Sequence, residues 1–139
     1  MNPNAILWPV MLQVALTLAV LVSMGPARSR SMRENGQTLD DDDVRLGRNA
    51  WSDAAIKRSR NYANQFELPV LFYAVVGFAL HTGAVDYLML TLAWVFALSR
   101  SVHAAIHIGS NVVMWRGTAF LVGVVALVVQ WIALAIHIA

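Results

Sequence analysis

Long runs of hydrophobic residues occupy most of the chain, and one long polar stretch separates the first run from the others. The first run extends from about residue 5 to residue 24 without a charged residue and ends at Gly25-Pro26. A helix of about 20 apolar residues is long enough to cross a bilayer. We therefore predict a single domain over residues 1–139, an all-α bundle of four transmembrane helices. The predicted helices span about residues 5–25, 52–81, 86–109 and 117–139.

The connections between these helices predict the orientation in the membrane. The loop between the first two helices covers about residues 26–51, whereas the other two connections are short turns. Eight of the ten Lys and Arg residues lie between Arg28 and Arg60, and Arg116 belongs to the same side. Positively charged loops are retained in the cytoplasm. We therefore expect a multi-pass integral membrane protein with the long basic loop on the cytoplasmic side.

Composition narrows the classes of function. The 139 residues are 58% hydrophobic and 13% charged, with a mean hydropathy of +0.59, whereas soluble domains carry about a quarter charged residues. The chain contains no cysteine, which excludes disulfides, a cysteine nucleophile, thiolate zinc sites and cysteine-ligated iron–sulfur clusters. Most of the basic residues are clustered in one stretch of the chain, a pattern that sets the orientation of a protein in the membrane. We therefore expect the lipid bilayer, and no nucleic acid, as a partner.

Polar residues recur at helical spacing on the second and third predicted helices. Both sets repeat at intervals of three and four residues, the rhythm of positions that face a neighbouring helix in a left-handed bundle. Ionisable groups at membrane depth are costly and usually functional. We therefore expect the two polar faces to meet in one cavity near the cytoplasmic side. The two sets are Asp53, Lys57, Arg60, Asn64 and Glu67, and Phe96, Arg100, His103, His107 and Ser110.

Pro69 predicts a bend within the second helix. Proline lacks a backbone N–H and pushes against the carbonyl four residues earlier, which here belongs to Gln65. The bend is therefore expected next to Glu67. Beyond it, the same helical face is predicted to continue through the apolar residues Leu71, Ala74 and Phe78.

Other interpretations of the histidines stay open at this point. His103 and His107 lie one helical turn apart, which is a spacing used by metal ligands. No third ligand lies near them in the sequence, so we predict no metal site. Haem ligation requires histidines on facing helices at matching depth, and His81 and His137 are the candidates for it.

Two runs of polar residues on the second and third helices carry a resemblance to a known family. The first run is Arg60-x-x-x-Asn64-x-x-Glu67-x-Pro69-Val70-Leu71-Phe72. It resembles the signature of the MAPEG family, the membrane-associated proteins of eicosanoid and glutathione metabolism. The second run is Arg100-x-x-His103-x-x-x-His107, followed by Arg116. It resembles that family's second conserved block, so the resemblance extends over nearly the whole chain.

The resemblance implies both an assembly and a ligand. Members of the family are four-helix subunits that form homotrimers and bind glutathione as co-substrate between adjacent subunits near the cytosolic face. Arg116 corresponds to the residue that stabilises the glutathione thiolate, and His107 is the second candidate catalytic position. Several eicosanoid-type members have tyrosine where His107 stands, so this chain resembles the bacterial branch more, which implies a bacterial inner membrane. The glutathione-binding positions that carry over are Arg60, Asn64, Glu67, Arg100 and His103.

The polar faces and the resemblance together predict a glutathione-dependent membrane transferase or peroxidase that acts on hydrophobic small-molecule electrophiles. The alternative is a non-catalytic structural or accessory membrane subunit, in which the polar faces only hold helices together. In that case Glu67 is expected to form an ion pair with Arg100 or Arg60. A haem or metal protein is the third interpretation. The sequence does not distinguish transferase from peroxidase or isomerase chemistry.

Overall fold

Helices form most of the described part of the chain, which comprises residues 1–46 and 51–139 of the computed structural model. That part contains no β-strand. Four helical segments, Pro3–Glu34, Asp53–Thr82, Tyr87–Ile108 and Val113–Ile138, are long and apolar enough to cross a membrane, which confirms the predicted four-helix membrane architecture. The elements are a 3-10 helix Pro3–Ile6, α1 Leu7–Glu34, α2 Asp42–Arg45, α3 Asp53–Asn64, α4 Leu68–Thr82, α5 Tyr87–Ile108 and α6 Val113–Ile138.

The first helix is longer than its apolar run predicts. Helix α1 continues through Pro26 to Glu34 rather than ending near residue 25. Membrane helices tolerate an internal proline where neighbouring groups satisfy the freed backbone. The continued helix brings Arg28 close to Ser59 of α3. Its Nη2 donates a 3.2 Å hydrogen bond to Ser59 Oγ, and its guanidinium lies 5.4 Å from the Trp51 ring centroid. The predicted loop is correspondingly shorter, and its residues 47–50 lie outside the described part of the chain.

The second predicted helix is interrupted where Glu67 and Pro69 stand. Helix α3 ends at Asn64 and α4 begins at Leu68, and the backbone of Glu67 between them is not helical (φ −94°, ψ −101°). Pro69 then occupies the first turn of α4, where its missing N–H has no helical partner to lose. The bend expected next to Glu67 is thus a break between two helices.

Helix α4 buries one face and leaves the other exposed. The buried residues of α4 include Phe72, Val75 and Val76. Leu71 and Phe78 are instead 49% and 53% exposed. Arg60 and Glu67 of the predicted polar face are exposed as well, so the expectation that this face continues through Leu71, Ala74 and Phe78 stays a prediction.

Helix α5 lies at the centre of the bundle, in contact with α1, α3 and α6. It contributes large buried residues such as Met89 and Phe96, and Phe96 stacks on Phe72 of α4 with ring centroids 4.4 Å apart. Small residues let the helices approach closely, as is common in membrane proteins. At Gly123 of α6, an added Cβ would lie 2.6 Å from the Ser99 hydroxyl oxygen of α5.

Replacing Gly123 by alanine is expected to destabilise the bundle. The Ser99 hydroxyl donates a 2.7 Å hydrogen bond to the Phe96 carbonyl and would have to rotate away from the new methyl group. Overpacking of this kind typically costs about 1–3 kcal/mol. Thermal unfolding of the purified protein in nanodiscs measures the change.

A matched control is Gly77→Ala in α4, since a Cβ there meets no atom within 4 Å and alanine is the better helix former. The double variant Gly123→Ala/Ser99→Ala removes the clashing hydroxyl and is expected to recover most of the loss. Equal stability of the Gly123→Ala and Gly77→Ala variants would contradict the close approach of α5 and α6.

A chain of buried amide side chains joins α1, α3 and α5 beside the break. Gln13 Nε2 donates to Gln65 Oε1 at 2.9 Å, and Gln65 Nε2 donates to the Asn61 side-chain oxygen at 3.1 Å. Asn61 Nδ2 in turn donates to the Ala104 carbonyl at 3.1 Å. Buried polar groups of this kind specify one arrangement when they are paired. The chain of bonds therefore fixes residues 65–67, and with them the position of Glu67.

Candidate functional site

An open cavity of about 530 Å³ lies where α3, α5 and the start of α6 meet. Six of the seven residues predicted to form a glutathione site line it, although they come from segments up to 56 residues apart in sequence (116 − 60). The two polar faces predicted from helical spacing therefore converge, as expected. The lining residues are Arg60, Ala63, Asn64, Glu67, His103, His107, Arg116, Gly117 and Phe120.

Arg100, the seventh predicted residue, lies fully buried (0% exposed) behind this cavity. Its Nη2 donates a 2.9 Å hydrogen bond to the Asn64 carbonyl, and its guanidinium carbon lies 5.6 Å from the Phe120 ring centroid. Its Nε and Nη1 have no hydrogen-bond partner among the described residues. A buried cation with unused donors is costly unless an anion pairs with it. Asn64 and Phe120 both line the cavity, so Arg100 lies next to the cavity without lining it.

Glu67 supplies the acidic side of the cavity. It is exposed, and within residues 1–46 and 51–139 it forms no ion pair with Arg60 or Arg100. The ion pair found in that part of the chain joins Arg30 and Glu34, with Nε and Oε1 3.6 Å apart. The structural ion pair considered from the sequence is therefore absent from the described residues, and the Glu67 carboxylate stays available to a cationic ligand group.

The two histidines of α5 are buried against each other, with ring centroids 5.7 Å apart. His103 Nδ1 lies 3.0 Å from the Arg116 carbonyl oxygen. A carbonyl only accepts, so we infer that Nδ1 carries the proton, and Nε2 of the neutral ring is then an acceptor. Neither His103 Nε2 nor His107 Nδ1 has a partner among the described residues. Both nitrogens are therefore buried and unpaired within the described part of the chain.

The haem candidates His81 and His137 lie away from this site. The described residues contain no group of three or more His, Asp or Glu side chains placed to hold a metal ion. His81 is exposed at the end of α4. His137 Nε2 lies 3.3 Å from the Thr82 carbonyl oxygen, near the same end of α4. This end of the bundle is opposite the cavity, so His81 and His137 take no part in it.

Arg116 forms hydrogen bonds through both its backbone and its side chain. Its carbonyl accepts from His103, and its Nη1 donates a 2.6 Å hydrogen bond to Asn111 Oδ1. Asn111 stands in the turn between α5 and α6 with a left-handed backbone (φ 52°), and its N–H donates to the Ile106 carbonyl at 2.7 Å. The half-buried guanidinium is thereby placed at the cavity wall.

Several residues that build the site were missed from the sequence. Gln13, Asn61, Gln65 and Asn111 do not belong to the predicted site, although the first three fix the break and the fourth holds Arg116. One signal was available, since Gln13 is a polar residue in the middle of an apolar run. Asn111 is of a residue type that tolerates a left-handed backbone, but its partner is not apparent from spacing.

Comparison with known proteins agrees with this geometry. The sequence model of the MAPEG family matches residues 6–136 of the 139. The chain belongs to the MAPEG family. This MAPEG protein is thus a multi-pass integral membrane protein of eicosanoid and glutathione metabolism, and the resemblance inferred from the two runs of polar residues is confirmed. No curated protein matches the chain. No solved structure matches it either.

Proposed function

We propose that this MAPEG protein is a glutathione-dependent transferase or peroxidase that acts on hydrophobic electrophiles. The observation that carries the proposal is the cavity, which combines Arg60 and Arg116 with Glu67 and lies against buried Arg100. Glutathione carries two carboxylates, one ammonium group and one thiol. Arginines suit carboxylates, and a carboxylate suits an ammonium group. The charges of the cavity therefore complement those of glutathione.

In this proposal, each residue of the site binds one part of glutathione. Arg100 directs its unused Nε and Nη1 donors to a glutathione carboxylate, and Arg60 at the exposed rim binds the other one. Glu67 binds the ammonium group, and the half-buried Asn64 amide hydrogen-bonds the peptide part of the ligand. The free Nε2 of His103 accepts a ligand N–H or S–H.

Arg116 is the proposed catalytic cation, with His107 as the second candidate catalytic residue. A thiolate is the reactive form of glutathione, and a neighbouring cation lowers the pKa of a thiol. In the transferase reaction, the thiol releases its proton to solvent and the sulfur forms a bond to the electrophilic carbon. The leaving group then departs with its electron pair. Stabilisation of the sulfur anion is the main contribution that such a site can make.

An apolar groove supports a substrate that enters from the lipid. The groove has a volume of about 340 Å³ and runs between α4 and α6. It starts beside the cavity, because Leu68 directly follows Glu67 and Val124 lies one turn after Phe120. It ends near Trp131 and Ala135. The apolar part of an electrophile lies in this groove, in our proposal, while its reactive carbon reaches the thiolate.

The proposal includes a homotrimer with the site on the cytoplasmic side of a bacterial inner membrane. Two observations support it. Arg60 and Glu67 are exposed on an open side of the cavity, where a neighbouring subunit would complete it. The basic residues of α1, α2 and α3 lie at the same end of the bundle as Arg116, as the positive-inside rule requires of a cytoplasmic face.

Calorimetric titration of glutathione into the protein in nanodiscs tests the proposed ligand. We expect saturable binding that Glu67→Ala weakens at least tenfold, since one charge-assisted hydrogen bond contributes about 1.5–3 kcal/mol. Glu34→Ala is the matched control, because Glu34 is also exposed but pairs with Arg30 outside the cavity. Equal loss of affinity in both variants, or no binding to the wild-type protein at millimolar glutathione, would contradict the proposal.

The second candidate function is a structural or accessory membrane subunit. It is favoured by the hydrogen bonds that join α3 to α5, from Arg100 to the Asn64 carbonyl and from Asn61 to the Ala104 carbonyl. In that case Glu67→Ala or loss of Arg100 disrupts assembly, and glutathione has no effect. Gel filtration of the variants in detergent separates the two candidates. A variant that assembles like the wild type but has lost its glutathione affinity supports the transferase or peroxidase.

A further inference from the structure

We infer that Asn111 is a positioning residue, which holds the Arg116 guanidinium where it stabilises the glutathione thiolate. This inference rests on the proposed function and extends it to a residue of the α5–α6 turn. Its first observation is the 2.6 Å hydrogen bond from Arg116 Nη1 to Asn111 Oδ1. A short bond from a charged donor is among the stronger hydrogen bonds of a protein.

The backbone of Asn111 explains why this residue type stands here. Its φ of 52° is left-handed, and among the described non-glycine residues it is the one with a positive φ. Asparagine and aspartate adopt this conformation more readily than most residues. The N–H of Asn111 closes the end of α5 by bonding to the Ile106 carbonyl at 2.7 Å. The turn therefore places the amide oxygen of Asn111 beside the first turns of α6, where Arg116 stands.

A long arginine side chain needs a hydrogen-bond partner to keep its guanidinium in one position. Without a bond to the guanidinium, Arg116 is free to sample several rotamers, and ordering them costs free energy at the moment of reaction. The Arg116 carbonyl is already bound by His103. With Asn111 on the guanidinium, both ends of the residue are fixed before the substrate arrives. The amide is neutral, so it orients the cation without cancelling its charge.

Two substitutions separate the side-chain contact from the backbone conformation. Asn111→Gly keeps the left-handed backbone and removes the amide oxygen. Asn111→Asp keeps both an acceptor and a residue type that tolerates this conformation. Ser110→Gly is the matched control, since exposed Ser110 adjoins Asn111 in the turn, and glycine there adds backbone freedom without touching Arg116.

The first measurement needs no glutathione. Phenylglyoxal modifies free guanidinium groups, and peptide mass mapping of the ligand-free protein in nanodiscs gives its rate at each arginine. We expect labelling of Arg116 to be at least about tenfold faster in Asn111→Gly, since a charge-assisted hydrogen bond is worth that much. Ser110→Gly is expected to label at the wild-type rate, and Asn111→Asp no faster than the wild type. Arg60, in the same cavity, serves as the internal reference.

The second measurement follows ionisation of bound glutathione by the ultraviolet absorbance of its thiolate. We expect Asn111→Gly to raise the pH at which half of the bound thiol is ionised by about one unit. It is also expected to lower kcat about tenfold, with little change in glutathione affinity. An unchanged labelling rate and ionisation midpoint in Asn111→Gly would overturn the inference. The same changes in Ser110→Gly would also overturn it, because they would show a general loosening of the turn. Faster labelling of Arg116 in a protein that binds no glutathione would support the positioning and reject the proposed function.

Discussion

Replacing Arg116 by alanine is expected to lower kcat for glutathione conjugation about 100-fold, the largest loss among the variants considered. Removing one preorganised group that stabilises a developing anion typically costs about 10²–10³ in kcat. Arg116 is half-buried at the wall of the cavity, and His103 and Asn111 hold it in place. Turnover of an activated chloroarene and of an organic hydroperoxide by the protein in nanodiscs measures the loss for both proposed reactions.

The controls for this experiment separate the charge of Arg116 from its geometry. Arg116→Lys keeps a cation but offers a point charge in place of the planar guanidinium, so partial activity is expected. Arg45→Ala removes an exposed arginine of α2 that lies away from the cavity, and it is expected to keep full activity. Wild-type turnover in Arg116→Ala would assign thiolate stabilisation to another residue. A parallel loss of glutathione affinity would assign Arg116 to binding.

Replacing Arg100 by methionine is expected to have opposite effects on glutathione binding and on stability. The guanidinium is fully buried, yet it makes one hydrogen bond, to the Asn64 carbonyl, and leaves Nε and Nη1 without partners among the described residues. A buried charge of this kind costs several kcal/mol, and replacing buried ionic groups by apolar side chains of similar volume often stabilises a protein by about 1–4 kcal/mol. Ligand-free Arg100→Met is therefore expected to unfold at a higher temperature than the wild type.

The same variant is expected to lose glutathione affinity at least 100-fold, since truncating one partner of a buried charge pair costs about 2–5 kcal/mol. Thermal unfolding measures both effects. Glutathione at 100 times its Kd is expected to stabilise the wild type by about 2.7 kcal/mol and to leave Arg100→Met unchanged. Arg33→Met, at an exposed position of α1, is the control for the added methionine. A ligand-free Arg100→Met that unfolds earlier and loses its assembly would favour the structural subunit.

The predicted site residues were accessible from the sequence because burying polar groups in a membrane is costly. Arg100, His103 and His107 interrupt an apolar helix at intervals of three and four residues, so the pattern alone indicates one buried face. The structure buries all three on that face. The place of Leu71, Ala74 and Phe78 on the same face as Glu67 stays a prediction, since the residues between α3 and α4 are not helical.

The sequence by itself indicated the four membrane helices, the basic end of the bundle and six of the nine residues that line the cavity. Each of these follows from local composition and helical spacing, because the bilayer penalises every misplaced polar group. Only the tertiary structure decided that the bend expected next to Glu67 is a break between two helices, and how Arg116 is held. Gln65 at the break is bonded to Gln13, 52 residues away, and the Arg116 guanidinium is bonded to a left-handed Asn111 in the α5–α6 turn. Contacts of this kind join groups on different elements, and the period of a single helix carries no information about them.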